Sequence, residues 1–569
     1  MAQQPQRPPR AVALANGGVA ASILVVVAAF GVAVSQSRPP SIAAFAPDVQ
    51  QHAQQKGLQG QEGANALGAA GGGTPTPAPS PTPSPARAGA NATPTPNPNA
   101  GRPALVRCYG SPPRQTEDPQ SPPCKQSFQG DNGGATYPGV TRDTIYVAWP
   151  YFDKGLPPPD NHQVVIDLQN YFNAHFQLYG RQIKLVERPP TNTAFAQDTA
   201  QQQYSDADYI ATQANPSGGI FASIGYAPEG GTAYYFNDRL ATHGILSISS
   251  AALLRTEAQL AASVYTWNTV PGYDKVEANL GNLYCHQLKG GAPSYAGPPT
   301  PPATAWGPRK IAVYYETTTD NVAIDPQPLV STLSACGVQV TAQALGSDSA
   351  SNTAAVNQMQ QNADTTVACL CAPGQLNTLM SSASNQAYFP EWLVSNEQFL
   401  TYDKGAQGYP ASEQPHVIGI DFNNEVLDPQ NQFWYRAVRE MDSGATYAQT
   451  SQNIYSYYRY EELLLLASGI QQAGPDLTPQ SFQQGLYATQ FSNVGHGAAP
   501  YYQAAVSFGP GDHSFYDDAA AVWFDPSGNS YTTDQGNPGT YCYSHLGDRS
   551  ADWTRPSPDF RQGQTCRGG

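Results

Sequence analysis

From Thr141 onward, short apolar runs alternate with longer amphipathic stretches, and this alternation limits the fold more than any other feature of the chain. The runs predict strands at Thr144–Trp149, Ile183–Glu187, Gly219–Ile224, Ile245–Ser249, Lys310–Tyr315, Gln339–Ala344, Thr366–Leu370, Glu391–Ser395 and Val417–Asp421. Between them, helical spacing marks Asn161–Phe176, Asp198–Ala214, Thr232–His243, Tyr273–Gln287, Pro326–Ala335, Ala354–Ala363 and Gln375–Gln386. Strands separated by helices of ten or more residues imply βαβ units and parallel sheet. Nine strands are many for one sheet, so two α/β lobes are expected.

Later segments carry firmer end signals. Ile454–Gln472 has helical spacing and stops at Gly474-Pro475. Thr478 before Pro479 reads as an N-cap with proline in the first turn. Ala519–Phe524 and Asn529–Thr532 flank Asp525-Pro526-Ser527-Gly528, a strand-turn-strand pattern. No internal sequence repeat is visible.

The N-terminal fifth is different. No charge lies between Arg10 and Arg38, and a helix over residues 11–34 would span roughly 36 Å, enough to cross a bilayer. Arg7 and Arg10 orient such a span with the rest of the chain outside. A single-pass anchor over 1–37 is expected, with a cleaved signal peptide as the alternative; both export the chain. Residues 38–107, with TPTPAPSPTPSP at Thr74–Pro85, read as a disordered Pro/Gly/Thr-rich linker. Eight cysteines in an exported chain read as disulfides. Cys108–Cys124 and Cys542–Cys566 are expected clasps. Cys285, Cys336, Cys369 and Cys371 are left, and Cys369 and Cys371 are expected to pair elsewhere, since both point to one face of a strand.

The net charge of −15, from 43 acidic and 28 basic residues, argues against nucleic acid as a partner. Enzyme motifs are missing: there is no G-x-S-x-G, no phosphate-binding G-x-x-x-x-G-K-[ST] and no H-E-x-x-H. No catalytic residue, metal ligand or cofactor is therefore expected. Asp517-Asp518 reads as a solvated edge, and Asp525 as turn chemistry rather than a Ca²⁺ ligand.

Five segments, in order, resemble one family: GVTRDTIYVAWP at Gly139–Pro150, YFNAHFQLYGRQIKLVE at Tyr171–Glu187, HGILSISSA at His243–Ala251, YFPEWLVSNE at Tyr388–Glu397 and FGPGDHSFYDDAAAVWFDPSGN at Phe508–Asn529. The chain resembles the type I periplasmic-binding fold, specifically the branched-chain amino-acid (Leu/Ile/Val) type substrate-binding proteins of ABC importers, in their actinobacterial form. The resemblance implies two Rossmann-like lobes joined by three crossovers, following the anchor and linker. The expected partition is a Cys-containing lead-in at 108–138, lobe one at 139–266 plus 418–532, lobe two at 267–417, and a Cys-containing extension at 533–569.

In open α/β sheets ligands settle beyond the carboxyl ends of strands, so strand-end residues are the binding candidates. These are Tyr151, Phe152, Asp153, Tyr226, Ser249, Ser250 and Trp267 on lobe one, and Tyr315, Glu316, Asn396 and Glu397 on lobe two. The loops PYFDKGLPPPDN and IGYAPEGG, and Glu187-Arg188-Pro189-Pro190 after the second strand, depart from the family's amino-acid-binding pattern. A polyol, amide, aromatic acid or cell-wall fragment is as open as an amino acid. The expected function is a membrane-anchored extracytoplasmic solute-binding protein that delivers a small polar or amphiphilic ligand to an ABC permease. The alternative is a cell-surface ligand sensor or interaction protein that uses the fold without transport.

Overall fold

The computed structural model describes residues 107–125, 127–150, 161–187, 199–212, 218–226, 233–251, 254–299, 305–319, 322–397, 400–424, 432–447, 455–496, 502–529, 538–544, 548–550, 553 and 565–566. The expected anchor and linker lie outside these residues, as do Tyr151, Phe152 and Asp153. Among the described residues no helix is long and apolar enough to cross a membrane.

Lobe one begins with β1 (Thr144–Trp149), α1 (His162–His175), β2 (Gln182–Glu187), α2 (Ala200–Thr212), β3 (Ala222–Ile224), α3 (Tyr234–Thr242), β4 (Leu246–Ser249), α4 (Glu257–Leu260) and β5 (Thr266–Asn268). The strands form one parallel sheet in the order β2-β1-β3-β4-β5. Asn161 starts α1 by accepting the Val164 N–H at 3.3 Å, and the helix buries Val164, Val165, Leu168 and Phe172 on the sheet. Three-residue β5 carries no apolar alternation of its own, and sequence reading passed over it.

Lobe two comprises α5 (Tyr273–Leu283), β6 (Ile311–Glu316), α6 (Gln327–Ala335), β7 (Gln343–Leu345), α7 (Ser349–Gln361), β8 (Thr366–Leu370), α8 (Pro373–Asn385), β9 (Glu391–Ser395), α9 (Asp403–Gln407) and β10 (Val417–Asp421). Its parallel strands run β7-β6-β8-β9-β10, the same permutation as lobe one. The duplication that the sequence conceals is therefore plain in the topology. The chain then returns to lobe one as α10 (Phe433–Met441), α11 (Tyr455–Ala473) and α12 (Pro479–Tyr487). It comes back to lobe two as β11 (Ala520–Asn529), β12 (Pro538–Tyr543) and β13 (Thr565–Cys566), which extend the second sheet antiparallel.

This corrects the expected partition. Residues 417–421 and 520–529 pair within the second sheet, because the chain leaves that sheet beyond the carboxyl end of its fifth strand rather than before it. Lobe one gains only the three helices and an edge segment, where Asn268 donates to the His513 carbonyl and accepts from the Phe515 N–H at 3.0 and 2.9 Å. Among the described residues three connections thus join the lobes, at 269–272, 422–424 and 516–519.

All eight cysteines are paired: Cys108–Cys124, Cys285–Cys336, Cys369–Cys371 and Cys542–Cys566. The expectation that Cys369 and Cys371 find other partners is overturned. Cys371 lies past the end of β8, where the backbone bends toward α8 and shortens their Cα separation to 5.4 Å; two extended residues would span about 6.6 Å.

Helix α11 is buried with polar side chains paired in the interior: Arg459 meets Glu462 and Gln471 donates to Gln115, each at 2.7 Å. Thr478 and Ser481 cap α12 reciprocally, with Pro479 in the first turn. The two helices meet at Gly469, where a Cβ would stand 2.1 Å from the Phe482 ring. Gly469→Ala is therefore expected to lower stability in chemical denaturation by about 1–3 kcal/mol through overpacking; an unchanged midpoint would show that the helices separate freely.

Candidate functional site

The lobes meet over a small cavity of about 10 Å³, lined by Leu254, Tyr273, Glu277, Ile324, Cys369, Leu370, Cys371, Ser395, Glu397 and Leu400. That is room for about one water. Leu254 belongs to lobe one; the other lining residues come from the start of α5 and from strand ends and loops of lobe two. Ile324 also lines an outer groove of about 520 Å³, with Tyr315, Asp325, Val330 and Val340.

Charge defines the cavity. Glu397 follows β9; one of its oxygens faces the Leu254 N–H across the lobes, and its Oε1 is shielded from solvent without a partner. Burial pushes its carboxyl up to about 8, only partly offset by the Leu254 N–H. Glu277, on α5, is also raised well above the carboxylate range by burial and by Glu397, although its Oε2 accepts the Leu329 N–H at 3.3 Å. Two carboxyl groups that resist ionisation thus face one enclosed space.

A second polar cluster ties the lobes together beside the hinge. Lys275 near the start of α5 donates to Asp512, Ser514 and Asp517 at 3.1, 3.1 and 3.2 Å, and Glu257 of α4 lies 3.5 Å away. Burial opposes the ammonium charge, but Glu257, Asp517 and Asp512 outweigh it and hold Lys275 protonated. Asp518 meets Arg549 at 2.7 Å, and Arg549 also donates to the Phe422 carbonyl at 3.0 Å. Arg549 of the C-terminal extension thereby bridges two of the interlobe connections. Asp517-Asp518 is consequently no solvated edge: each carboxylate holds a cation at the hinge.

The other candidates are distributed as follows. Tyr226 stacks on Phe236 at 3.8 Å and donates to Asp206 at 3.2 Å, inside lobe one. Ser250 donates twice to Glu462, which Arg459 also holds, and Ser249 accepts the Ala251 N–H at 3.0 Å. Trp267 is fully buried and stacked on His513 at 3.9 Å. Tyr315 lines the outer groove, and Glu316 accepts the Ala372 N–H at 2.6 Å. Asn396 donates to Asp421 at 2.7 Å and accepts from Phe422 at 3.1 Å. Among the described candidates, Glu397 alone lines the cavity. Tyr273, Glu277, Cys369 and Cys371 are not among the sequence candidates: the first two sit at a helix start after a crossover rather than at a strand end, and the cysteines read only as disulfide partners. Asp525 accepts from Ser527 N–H and Oγ at 2.9 and 2.7 Å, but these bonds sit at a bulge inside the continuous strand β11, which pairs with β12, so the expected strand-turn-strand at 519–532 is one irregular strand.

The raised carboxyls give stability a definite pH slope. Glu397 is pushed up to about 8, Glu413 to about 7 and Asp118 to about 6, each chiefly by burial. The folded chain therefore keeps protons that the unfolded chain releases near pH 4, so each contribution is complete at low pH and is lost as pH rises through the raised value. Asp518, held low by Arg549 and His496 against its burial, acts oppositely and loses its contribution only under more acid conditions. Urea unfolding is expected to show stability falling steadily as pH rises from 5 to 8, each unit of raised pKa being worth about 1.4 kcal/mol. Stability rising over that interval would contradict the burial of these groups.

No family model and no curated protein matches this sequence. Solved structures of similar shape include a solute-binding protein of an ABC transporter from R. palustris in complex with 4-hydroxybenzoate, at 11% identity, 70% of this chain, 97% of that chain and a TM-score of 0.47. Another is an ABC transporter substrate-binding protein from Desulfitobacterium hafniense in complex with Leu, at 13% identity, 72% and 98% coverage and a TM-score of 0.42. A fatty acid ABC transporter substrate-binding protein from Thermomonospora curvata gives 15% identity, 71% and 91% coverage and a TM-score of 0.43. At these identities and scores the assignment rests on topology. Two lobes with one strand permutation, joined by three connections, give the chain the type I periplasmic-binding fold.

Proposed function

We propose that this is an extracytoplasmic solute-binding protein that captures a small polar or amphiphilic molecule between its lobes and delivers it to an ABC importer. The observation that carries the reading is the solvent-shielded, unpartnered Glu397 Oε1 in the interlobe cavity. A buried polar atom without a partner costs roughly 1–3 kcal/mol, which a hydrogen-bonding group of a ligand would recover. Capture requires the lobes to part, because the closed cavity admits no solute. Complete pairing of the cysteines supports an oxidising location outside the cytoplasm.

A thermal-shift screen over amino acids, amides, polyols and aromatic acids tests this. A true ligand at one hundred times its Kd stabilises the protein by about 2.7 kcal/mol. Glu397→Leu is expected to weaken that ligand at least tenfold. If no small solute raises Tm, or if Glu397→Leu binds unchanged, the reading is wrong.

A further inference from the structure

Three of the four disulfides join segments well apart in sequence, but Cys369–Cys371 spans only two residues. A loop that short removes little freedom from the unfolded chain, so global stability does not account for it. Its location suggests another role. Cys369 is the penultimate residue of β8, and Cys371 precedes Ala372, the N-cap of α8. The bridge therefore pins the strand-to-helix turn at the carboxyl edge of the sheet. Both cysteines are only 2% exposed, and both line the cavity that contains Glu277 and Glu397.

We infer that the Cys369–Cys371 disulfide is a redox-addressable wall of the ligand cavity, cleaved by small thiols when the lobes open and shielded when they close. This rests on the proposed capture between lobes. A low-molecular-weight thiolate attacks one sulfur, the protein S–S bond breaks, and the other cysteine leaves as a thiolate. A second thiol then attacks the mixed disulfide. The protein retains two thiols, and the reductant departs as its own disulfide. A cavity sized for one water admits no thiol, so attack waits for opening. Reduction frees the turn that positions one cavity wall and weakens capture.

The test uses the full oxidised chain with reduced glutathione, timed alkylation by iodoacetamide and peptide mass spectrometry. Cys369 and Cys371 are expected to become alkylated while the circular dichroism remains native. A stabilising compound from the screen is expected to slow this reaction at least tenfold. Cys369→Ser with Cys371→Ser is expected to lower affinity for that compound at least tenfold while remaining folded. The inference is overturned if the pair is reduced only at the rate and urea dependence of global unfolding. It is equally overturned if saturating compound gives no protection, or if the double variant binds unchanged. Native-state reduction with no stabilising compound in the screen would instead leave a labile turn and overturn both its role in capture and the capture reading.

Discussion

Glu391→Leu is expected to destabilise the fold by about 3–5 kcal/mol, because it strands a buried guanidinium. Glu391 opens β9 and is completely buried, and Arg309 is nearly so. The two meet through paired contacts of 2.7 Å, Nε to Oε2 and Nη2 to Oε1. The same carboxylate accepts from Thr366 Oγ1 at 2.6 Å and from the Tyr295 N–H at 3.1 Å. One side chain thus joins β8, β9 and the chain entering β6. Glu391→Gln retains the shape and an acceptor, and its loss is expected to be smaller. Guanidinium denaturation measures both; a loss under 1 kcal/mol for Glu391→Leu would mean that Arg309 escapes to solvent.

Removing the Cys285–Cys336 bridge is the second large effect. Its sequence separation of 51 residues corresponds to about 4 kcal/mol of loop-closure entropy, against under about 2 kcal/mol for Cys369–Cys371. Cys285 lies just past α5 and Cys336 caps α6, so the link clamps two helices of lobe two. Cys285→Ala with Cys336→Ala should lower the unfolding midpoint distinctly more than Cys369→Ser with Cys371→Ser. The reverse order would place the structural burden on the cavity disulfide.

Much of the scaffold could be read directly from residues. Thr144–Trp149, Thr366–Leu370, Glu391–Ser395 and Val417–Asp421 form strands with the anticipated limits. Buried parallel strands are continuous apolar runs, and polar turn residues bound them. Three-residue β5 had no such signal, and the doubled strand order is invisible because topology does not require sequence similarity. The site was less legible. Trp267 and Tyr226 have the composition of a binding wall, yet their partners His513 and Phe236 fix them in packing. Glu277 looks like an ordinary helix carboxylate; only the approach of β9's end to α5 places it beside Glu397. Contacts between distant segments decided these outcomes, and local pattern contains no record of them.

Lobe closure around a ligand shortens the distance between the lobes, and that distance can be measured in solution. Spin labels carried by unnatural amino acids at exposed Gln201 in the first turn of α2 and Ala350 in the first turn of α7 report from opposite lobes without disturbing the disulfides. Pulsed dipolar spectroscopy is expected to give a broad distribution reaching longer distances in the free protein, and a single shorter distance with a saturating ligand. One narrow distance, unchanged while a ligand binds stoichiometrically, would contradict capture by closing lobes.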